Sequence, residues 1–117
     1  MSITHPELVK ALAKPGQEIV DSISAQDAHL LHMAVGVSGE AGELLDAVKK
    51  AVIYRKPVDI ENIKEELSDL EFYIEGIRQI FGFTREEVVQ YNIDKLKKRY
   101  QSLSYSDKAA QERADKQ

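Results

Sequence analysis

The fold is decided by residues 24–54, which read SAQDAHLLHMAVGVSGEAGELLDAVKKAVIY. Apolar side chains recur there at steps of three and four residues, the spacing of one face of an α-helix. This predicted apolar stripe consists of Leu30, Ala34, Val37, Ala41, Leu44, Val48 and Val52. Ser24 stands where an N-cap is expected, and Pro57 should stop the helix near Tyr54 because the residue before a proline avoids the α region. The segment therefore predicts one long amphipathic helix.

Outward from this segment, two more helices are predicted. Asp59 is the N-cap of a helix that ends at Gly82, and Thr84 with Glu87 forms a capping box for the next, which reaches about Tyr100. The stripe of the first of these two helices is Ile63, Leu67, Leu70, Ile74, Ile77 and Phe81. Shorter helices are expected over about residues 6–14 and after residue 106, and no segment alternates like a strand.

These elements predict an all-α fold, a compact four-to-five-helix bundle. Neighbouring helices should be antiparallel because the connections at residues 55–59 and 82–84 are short. Helices this apolar on one side need more partner surface than one short chain offers, so we expect further copies of the chain to complete the bundle.

Length and composition limit the class of protein. The 117 residues suit a single domain, residues 1–117, with a core at about 24–100 and a polar C-terminal arm at 101–117. A net charge of −4 argues against nucleic acid as a partner bound through bulk charge. The chain has no cysteine, so it forms neither disulfides nor thiolate metal sites. Because no signal peptide and no membrane-length apolar run is seen, we expect a cytoplasmic protein without membrane contact.

Two pairs of carboxylates stand on the two longest helices. Glu40 and Glu43 are three residues apart on the first, and Glu66 and Asp69 are three apart on the second. A spacing of three places both members of a pair on one helical face, here at the edge of the apolar stripe. Three glycines accompany the first pair, namely Gly36, Gly39 and Gly42. A glycine inside a helix costs about 1 kcal/mol against alanine, which is most readily explained where another backbone or a ligand comes close.

Four carboxylates brought together by adjacent helices repel one another unless a cation neutralises them. Oxygen ligands suit Mg²⁺ or Mn²⁺, and Mg²⁺ usually combines a few carboxylates with substrate phosphates and water. The alternative is that the acids form only a solvated helix edge, which is common on amphipathic helices.

A basic face follows on the last long helix, where Asn92, Lys95 and Arg99 are spaced by three and four residues. Lys and Arg bind phosphate, and Asn adds a neutral donor. Alternatively, the basic residues complement the helix dipole, although that does not explain an Asn in register with them.

Together these motifs resemble the MazG-like all-α nucleoside triphosphate pyrophosphatases. The resemblance covers about residues 28–100 and rests on G-E-A-G-E-L at 39–44, E-E-L-S-D at 65–69, Tyr73, and the N-x-x-K-L-x-x-R-Y stretch at 92–100. It implies hydrolysis of a (deoxy)nucleoside triphosphate between the α and β phosphates, giving a monophosphate and pyrophosphate. It also implies assembly as a homodimer or homotetramer.

The resemblance assigns roles residue by residue. Glu40, Glu43, Glu66 and Asp69 would be the metal ligands. Glu43 and Glu66 would be the catalytic residues, with Glu43 a candidate base toward water. Asn92 and Lys95 would hold the phosphates, and Arg99 and Tyr73 are further substrate-binding candidates.

Two other functions are consistent with the same motifs. A phosphoribosyl-ATP-type pyrophosphohydrolase shares the metal logic and the architecture. A non-catalytic helical interaction module would use the acids only as a solvated face. His29 and His32 precede the first motif, and they either line the nucleotide site or are partly buried structural histidines.

Overall fold

The structure, a computed structural model, describes residues 2–102 and 105–113. Within these ranges it has six α-helices and no strand, which confirms the predicted all-α fold. The helices are α1 (His5–Leu12), α2 (Gly16–Ser22), α3 (Ala25–Val52), α4 (Ile60–Phe81), α5 (Arg85–Arg99) and α6 (Asp107–Glu112).

The predicted caps set the ends of the long helices. At the start of α3, the Ser24 side chain accepts a hydrogen bond from the Asp27 backbone, and the Asp27 side chain accepts one from the Ser24 N–H. Thr84 and Glu87 make the same reciprocal pair at the start of α5. Gly82 ends α4 in the left-handed conformation, with φ 72°. The capping chemistry therefore fixes where the chain turns, as predicted.

One helix was missed. Pro15 and Gly16 were interpreted as the stop of the first helix, but Pro15 is also the N-cap of α2. A proline fits that place because its fixed φ, here −60°, and extended ψ belong to an N-cap, and because the cap needs no N–H of its own. The first 23 residues therefore carry two short helices rather than one.

α3 and α4 form an antiparallel pair, the most extensive helix contact among the described residues. Gly36 of α3 lies against Tyr73 of α4. One turn later on α3, Glu40 lies against Glu66, which is two turns earlier on α4. The prediction of antiparallel neighbours is confirmed for this pair.

The buried side of α3 differs from the predicted apolar stripe. Apart from Gly36, the residues that α3 buries or half-buries where it packs on α4 recur at alternating steps of three and four: Leu30, Met33, Val37, Glu40, Leu44, Ala47 and Ala51. Of the predicted stripe, Ala34, Ala41, Val48 and Val52 are exposed instead. A strict three–four alternation keeps one seam facing one partner helix, and the small residues within it allow the two helices to approach. This set is called the α3–α4 seam below.

The single chain is more extended than the compact bundle expected. Its radius of gyration is 20.3 Å, whereas a compact chain of this length has about 13 Å. Its accessible surface is 9648 Å², against about 6,400 Å² for a compact monomer of this mass. Apart from the α3–α4 pair and a small contact between α5 and α6, the described helices pack against one another slightly at most. None of them combines the length and apolar character that crossing a membrane requires.

Candidate metal centre

Three of the four predicted carboxylates meet between α3 and α4. Glu40 of α3 and Glu66 and Asp69 of α4 each offer an oxygen, and these three oxygens lie within 4.8 Å of one another. The α4 pair converges because a spacing of three residues places both side chains on the face toward α3. Glu40 joins them because it belongs to the α3–α4 seam rather than to its edge.

Glu43 lies at the margin of this group. It is exposed, one turn along α3 from Glu40, and its oxygens do not lie within the cluster of three. Its charge is nevertheless close enough to raise the pKa of Glu66. The four acids thus form one electrostatic unit with three converging ligand oxygens.

The pKa of Glu66 reflects how closely the four carboxylates are packed. Partial burial in the seam raises the pKa of its carboxyl first, and a hydrogen bond between Glu66 and Glu40 raises it further. The negative charges of Glu40, Glu43 and Asp69 act in the same direction. Each of these effects favours the protonated form of Glu66, so the crowded negative charges carry an electrostatic penalty that a bound cation would relieve.

Two ring side chains, Tyr73 and His32, lie beside the acids. Tyr73 is one turn after Asp69 on α4, and its ring fills the space that a side chain at Gly36 would need. His32 meets the same ring edge-on, with ring centroids 6.2 Å apart. The backbone contact expected at the glycines is therefore present at Gly36, while Gly39 and Gly42 face open space.

The two histidines are exposed rather than partly buried. That differs from the structural interpretation, because a structural histidine would be packed on more than one side. His32 has one aromatic neighbour and otherwise lies open on the side of α3 that leads to the acids.

The predicted phosphate-binding residues are on a helix apart from the acids. Asn92, Lys95 and Arg99 share α5, which has at most slight contact with α3 and α4. One chain alone therefore does not pack this helix against the acidic group.

The donor set matches a hard divalent cation. All the converging atoms are carboxylate oxygens, the ligands that Mg²⁺ and Mn²⁺ favour, and the group offers no sulfur or imidazole ligand. Partial burial and the neighbouring carboxylates raise the pKa of Glu66, so a bound cation would compete with a proton for this carboxylate and offset the electrostatic penalty.

Comparison with known protein families identifies the class. The MazG nucleotide pyrophosphohydrolase domain matches residues 29–104, which include α3 from His29 onward, all of α4 and α5, and all four acids. The chain belongs to this family, and the family implies a nucleotide pyrophosphohydrolase. Comparison with curated proteins and with solved structures gives no significant match.

The seam position of Glu40 was missed by sequence reasoning. The signal was present, because Leu30, Met33, Val37 and Leu44 share its three–four spacing. It was obscured by the second apolar face of α3, which is equally regular. The burial of Arg78, which is only 8% exposed, had no recognisable signal beyond its charged neighbours Glu71 and Glu75 on α4.

Proposed function

We propose that the protein hydrolyses a (deoxy)nucleoside triphosphate between the α and β phosphates in the presence of Mg²⁺, releasing a monophosphate and pyrophosphate. Mn²⁺ would substitute for Mg²⁺. The observation that carries the proposal is the convergence of Glu40, Glu66 and Asp69 within a chain of the MazG family. A triphosphate brings the oxygens that would complete the coordination of a cation held by so few protein ligands.

The acids have distinct roles in this proposal. Glu40, Glu66 and Asp69 hold the cation through their converging oxygens, and Glu43 joins them from the margin. When bound, the cation supplies positive charge that offsets the phosphate oxygens and makes an attacking water more acidic. Glu43, exposed and outside the converging oxygens, is then the carboxylate best able to accept the proton of that water. Because its pKa is raised, Glu66 would bind the cation in competition with a proton.

Tyr73 would border the nucleotide on the other side. Its ring is fixed by the close approach of Gly36 and by the edge of His32, so it offers a rigid apolar face one turn from the metal ligands. A fixed ring holds the nucleotide while costing little side-chain entropy, which orients the α phosphate toward the attacking water.

Asn92, Lys95 and Arg99 would contact the phosphates from a second copy of the chain. Their helix α5 does not pack on the acidic pair within one chain, and the chain exposes about 3,200 Å² more than a compact monomer would. Two copies together carry twice that excess, about 6,400 Å², which is more than enough to supply the roughly 2,000–5,000 Å² in total that obligate homodimers bury. We therefore propose a homodimer, or a homotetramer built from it, in which each site takes its acids from one copy and its basic residues from another.

The test is a substrate panel on the full chain. Each common NTP and dNTP is incubated with Mg²⁺ or Mn²⁺, and pyrophosphate and monophosphate are measured together. Reaction in ¹⁸O-labelled water should place the label in the monophosphate, because attack at the α phosphorus leaves pyrophosphate unlabelled. Glu66→Gln should lower kcat/KM at least about a hundredfold, as expected when a charge-stabilising group is removed.

Glu61→Gln is the matched control, since Glu61 is an exposed acid on the first turn of the same helix. It should leave the rate unchanged. The absence of turnover with every triphosphate under both metals would overturn the proposal. Turnover of phosphoribosyl-ATP alone would instead assign the site to that alternative.

A binding measurement, rather than a rate measurement, distinguishes the proposed enzyme from a non-catalytic interaction module. Mg²⁺ together with a non-hydrolysable triphosphate should raise the melting temperature, because a ligand that binds only the native state stabilises it. An unchanged melting temperature would favour the module.

A further inference from the structure

An apolar groove lies where the chain turns from α4 into α5. Phe83, Val88 and Tyr91 line it, and Glu87 is the one charged residue of its lining. Its volume is about 340 Å³, within the range of about 300–1,000 Å³ that small-molecule sites occupy. Tyr91 is 74% exposed and Phe83 is 51% exposed in the single chain. The groove is therefore an open and largely aromatic surface, suited to a flat ligand.

Local contacts hold the walls of this groove in place. The Phe83 ring stacks on Phe81, with ring centroids 5.9 Å apart and an angle of 27° between the planes. The reciprocal hydrogen bonds of Thr84 and Glu87 fix the first turn of α5, which leads directly into Val88. A site that is formed before its ligand arrives loses less conformational entropy on binding. The groove is in this sense pre-organised.

The groove continues into the residues that the proposed function gives to the phosphates. At about 3.6 residues per turn, one side of α5, about a third of its circumference, carries Val88, Tyr91, Asn92, Lys95 and Arg99. The groove residues come first on this side, and the polar residues follow toward the end of the helix. A ligand that lies along this side of α5 therefore contacts the groove and the phosphate-binding residues together.

Charge sets the direction in which a nucleotide lies on this side. Glu87 at the groove end repels a triphosphate, whereas Lys95 and Arg99 at the other end attract it. Between Tyr91 and Lys95 the helix rises about 6 Å, a distance that the sugar of a nucleotide spans between its base and its α phosphate. A nucleotide whose phosphates meet Asn92 and Lys95 thus carries its base at the groove.

We propose that the groove of α5 is the nucleobase subsite of the proposed active site, with Tyr91 as the stacking surface. This inference rests on the function proposed above. Every base has a π-face, so stacking on Tyr91 strengthens binding without by itself selecting one base. Tyr73 is one turn after Asp69 on α4, and Tyr91 is one turn before Lys95 on α5. With α5 antiparallel to the α4 that it meets, the two rings enclose one base.

Calorimetry with two probes tests the subsite without requiring turnover. The first probe is the α,β-methylene analogue of each dNTP, and the second is inorganic tripolyphosphate, which has no base; both are titrated into the full chain with Mg²⁺. Tyr91→Ala should weaken binding of the best analogue at least about tenfold, because stacking on the ring is lost. It should change the affinity for tripolyphosphate less than about twofold, since the phosphate contacts remain.

Three further variants make the measurement specific. Tyr91→Phe keeps the ring and should bind both probes like wild type. Ile93→Ala removes an exposed apolar side chain from the opposite side of α5 and should also leave both affinities unchanged. Lys95→Ala should weaken both probes, because it removes a phosphate contact. Circular dichroism checks that the helices persist in each variant.

The outcomes separate this inference from the proposed function. If wild type binds neither probe, the proposed function fails and the subsite fails with it. If wild type binds both probes and Tyr91→Ala weakens both equally or neither, the groove is not the base subsite, although the phosphate site stands. If Tyr91→Ala lowers the oligomeric mass at unchanged analogue affinity, the groove belongs to an interface between copies, and the inference is overturned.

Photo-cross-linking of the wild-type chain locates the base without any substitution. One purine and one pyrimidine probe are used, 8-azido-dATP and 5-iodo-dCTP. Trypsin cleaves after Arg85 and Lys95, so residues 86–95 form one peptide that contains Tyr91, while Tyr73 lies in the peptide of residues 65–78. Label should appear in peptide 86–95, with or without label in peptide 65–78, and excess tripolyphosphate should suppress it. Label confined to any other peptide, including 65–78 alone, would overturn the assignment.

Discussion

Gly36 of α3 and Tyr73 of α4 lie in direct contact, and the ring occupies the space that any side chain at position 36 would fill. Gly36 is one turn before Glu40, and Tyr73 is one turn after Asp69. The contact therefore sets how closely the two helices approach at the level of the acids. Its removal should affect both stability and the geometry of the metal centre.

Gly36→Ala should destabilise the protein, whereas Gly39→Ala should stabilise it. At position 36 the added methyl group meets the Tyr73 ring, and overpacking of this kind costs about 1–3 kcal/mol. At position 39 nothing lies within 4 Å, so the helix gains about 0.5–1 kcal/mol from losing a glycine. Urea unfolding at constant protein concentration measures both. Equal stabilisation by the two variants would contradict the close approach of the helices.

The raised pKa of Glu66 predicts a distinctive pH dependence. Between the ordinary glutamate pKa and the raised one, the folded state holds more protons than the unfolded state. The stability that Glu66 contributes is therefore greatest at low pH, and it is lost as pH rises through the raised pKa. Saturating Mg²⁺ should reverse this slope, because the cation binds the deprotonated group.

Glu66→Gln provides the comparison. The amide keeps a hydrogen-bond donor for Glu40 without adding a charge, so the metal-free variant should melt at a higher temperature than wild type at neutral pH. It should also lose most of the rise that Mg²⁺ produces. Melting temperatures between pH 4 and 8, with and without Mg²⁺, check both expectations. A metal-free variant less stable than wild type would contradict the repulsion described for this site.

The ion pairs of Arg78, a buried charged residue on α4, should give the opposite pH dependence of stability. Arg78 is only 8% exposed, and it donates hydrogen bonds to Glu75 at 2.8 Å and Glu71 at 3.2 Å. Its guanidinium lowers the pKa of Glu75, so that contribution to stability is present at neutral pH and is lost as pH falls through the lowered pKa. Arg78→Ala should cost about 1–3 kcal/mol, mostly through lost packing of its stem.

Two variants separate packing from charge at this position. Arg78→Met keeps most of the volume and should cost less than about 1 kcal/mol, because both carboxylates are partly exposed and remain hydrated without a partner. Lys50→Ala removes an exposed pair with Asp46 and should cost less than about 0.5 kcal/mol. A loss in Arg78→Met as large as in Arg78→Ala would show that the ion pairs, not the packing, carry the stability.

Local chemistry made the helix ends predictable, but the packing of the helices was less so. Ser24, Thr84 and Gly82 act through their own neighbours in the chain, and each lies where it was predicted. The face that α3 buries depends on a partner helix, and two regular apolar faces compete for it. From periodicity alone, the face with Ala34 and Val48 was predicted to be buried, but that face is exposed in the single chain. The acid spacing predicted convergence correctly for Glu40, Glu66 and Asp69 because it needs only that α3 and α4 pair.

If each site is built from two copies of the chain, two variants that are inactive alone should recover activity when they are mixed. Glu66→Gln removes a metal ligand and Lys95→Ala removes a phosphate contact, so each alone should be nearly inactive. If the acids and the basic residues of one site come from different copies, a mixed dimer contains one site with both groups intact. Random mixing of equal amounts should then recover about a quarter of wild-type activity, since half of the symmetric dimers are mixed and each has one working site.

Co-expression with two different tags, followed by purification through both, isolates the mixed dimer for this measurement. Its activity should reach about half that of wild type, because one of the two equivalent sites is whole. Lys97→Ala is the matched control for the basic residue, as it removes an exposed lysine on the same helix and should leave the rate near that of wild type. If the mixed dimer is as inactive as its parents while Lys95→Ala alone is impaired, both sets of groups act within one chain. In that case α5 would have to move onto its own α3–α4 pair when the nucleotide binds, because in the structure it has at most slight contact with either helix.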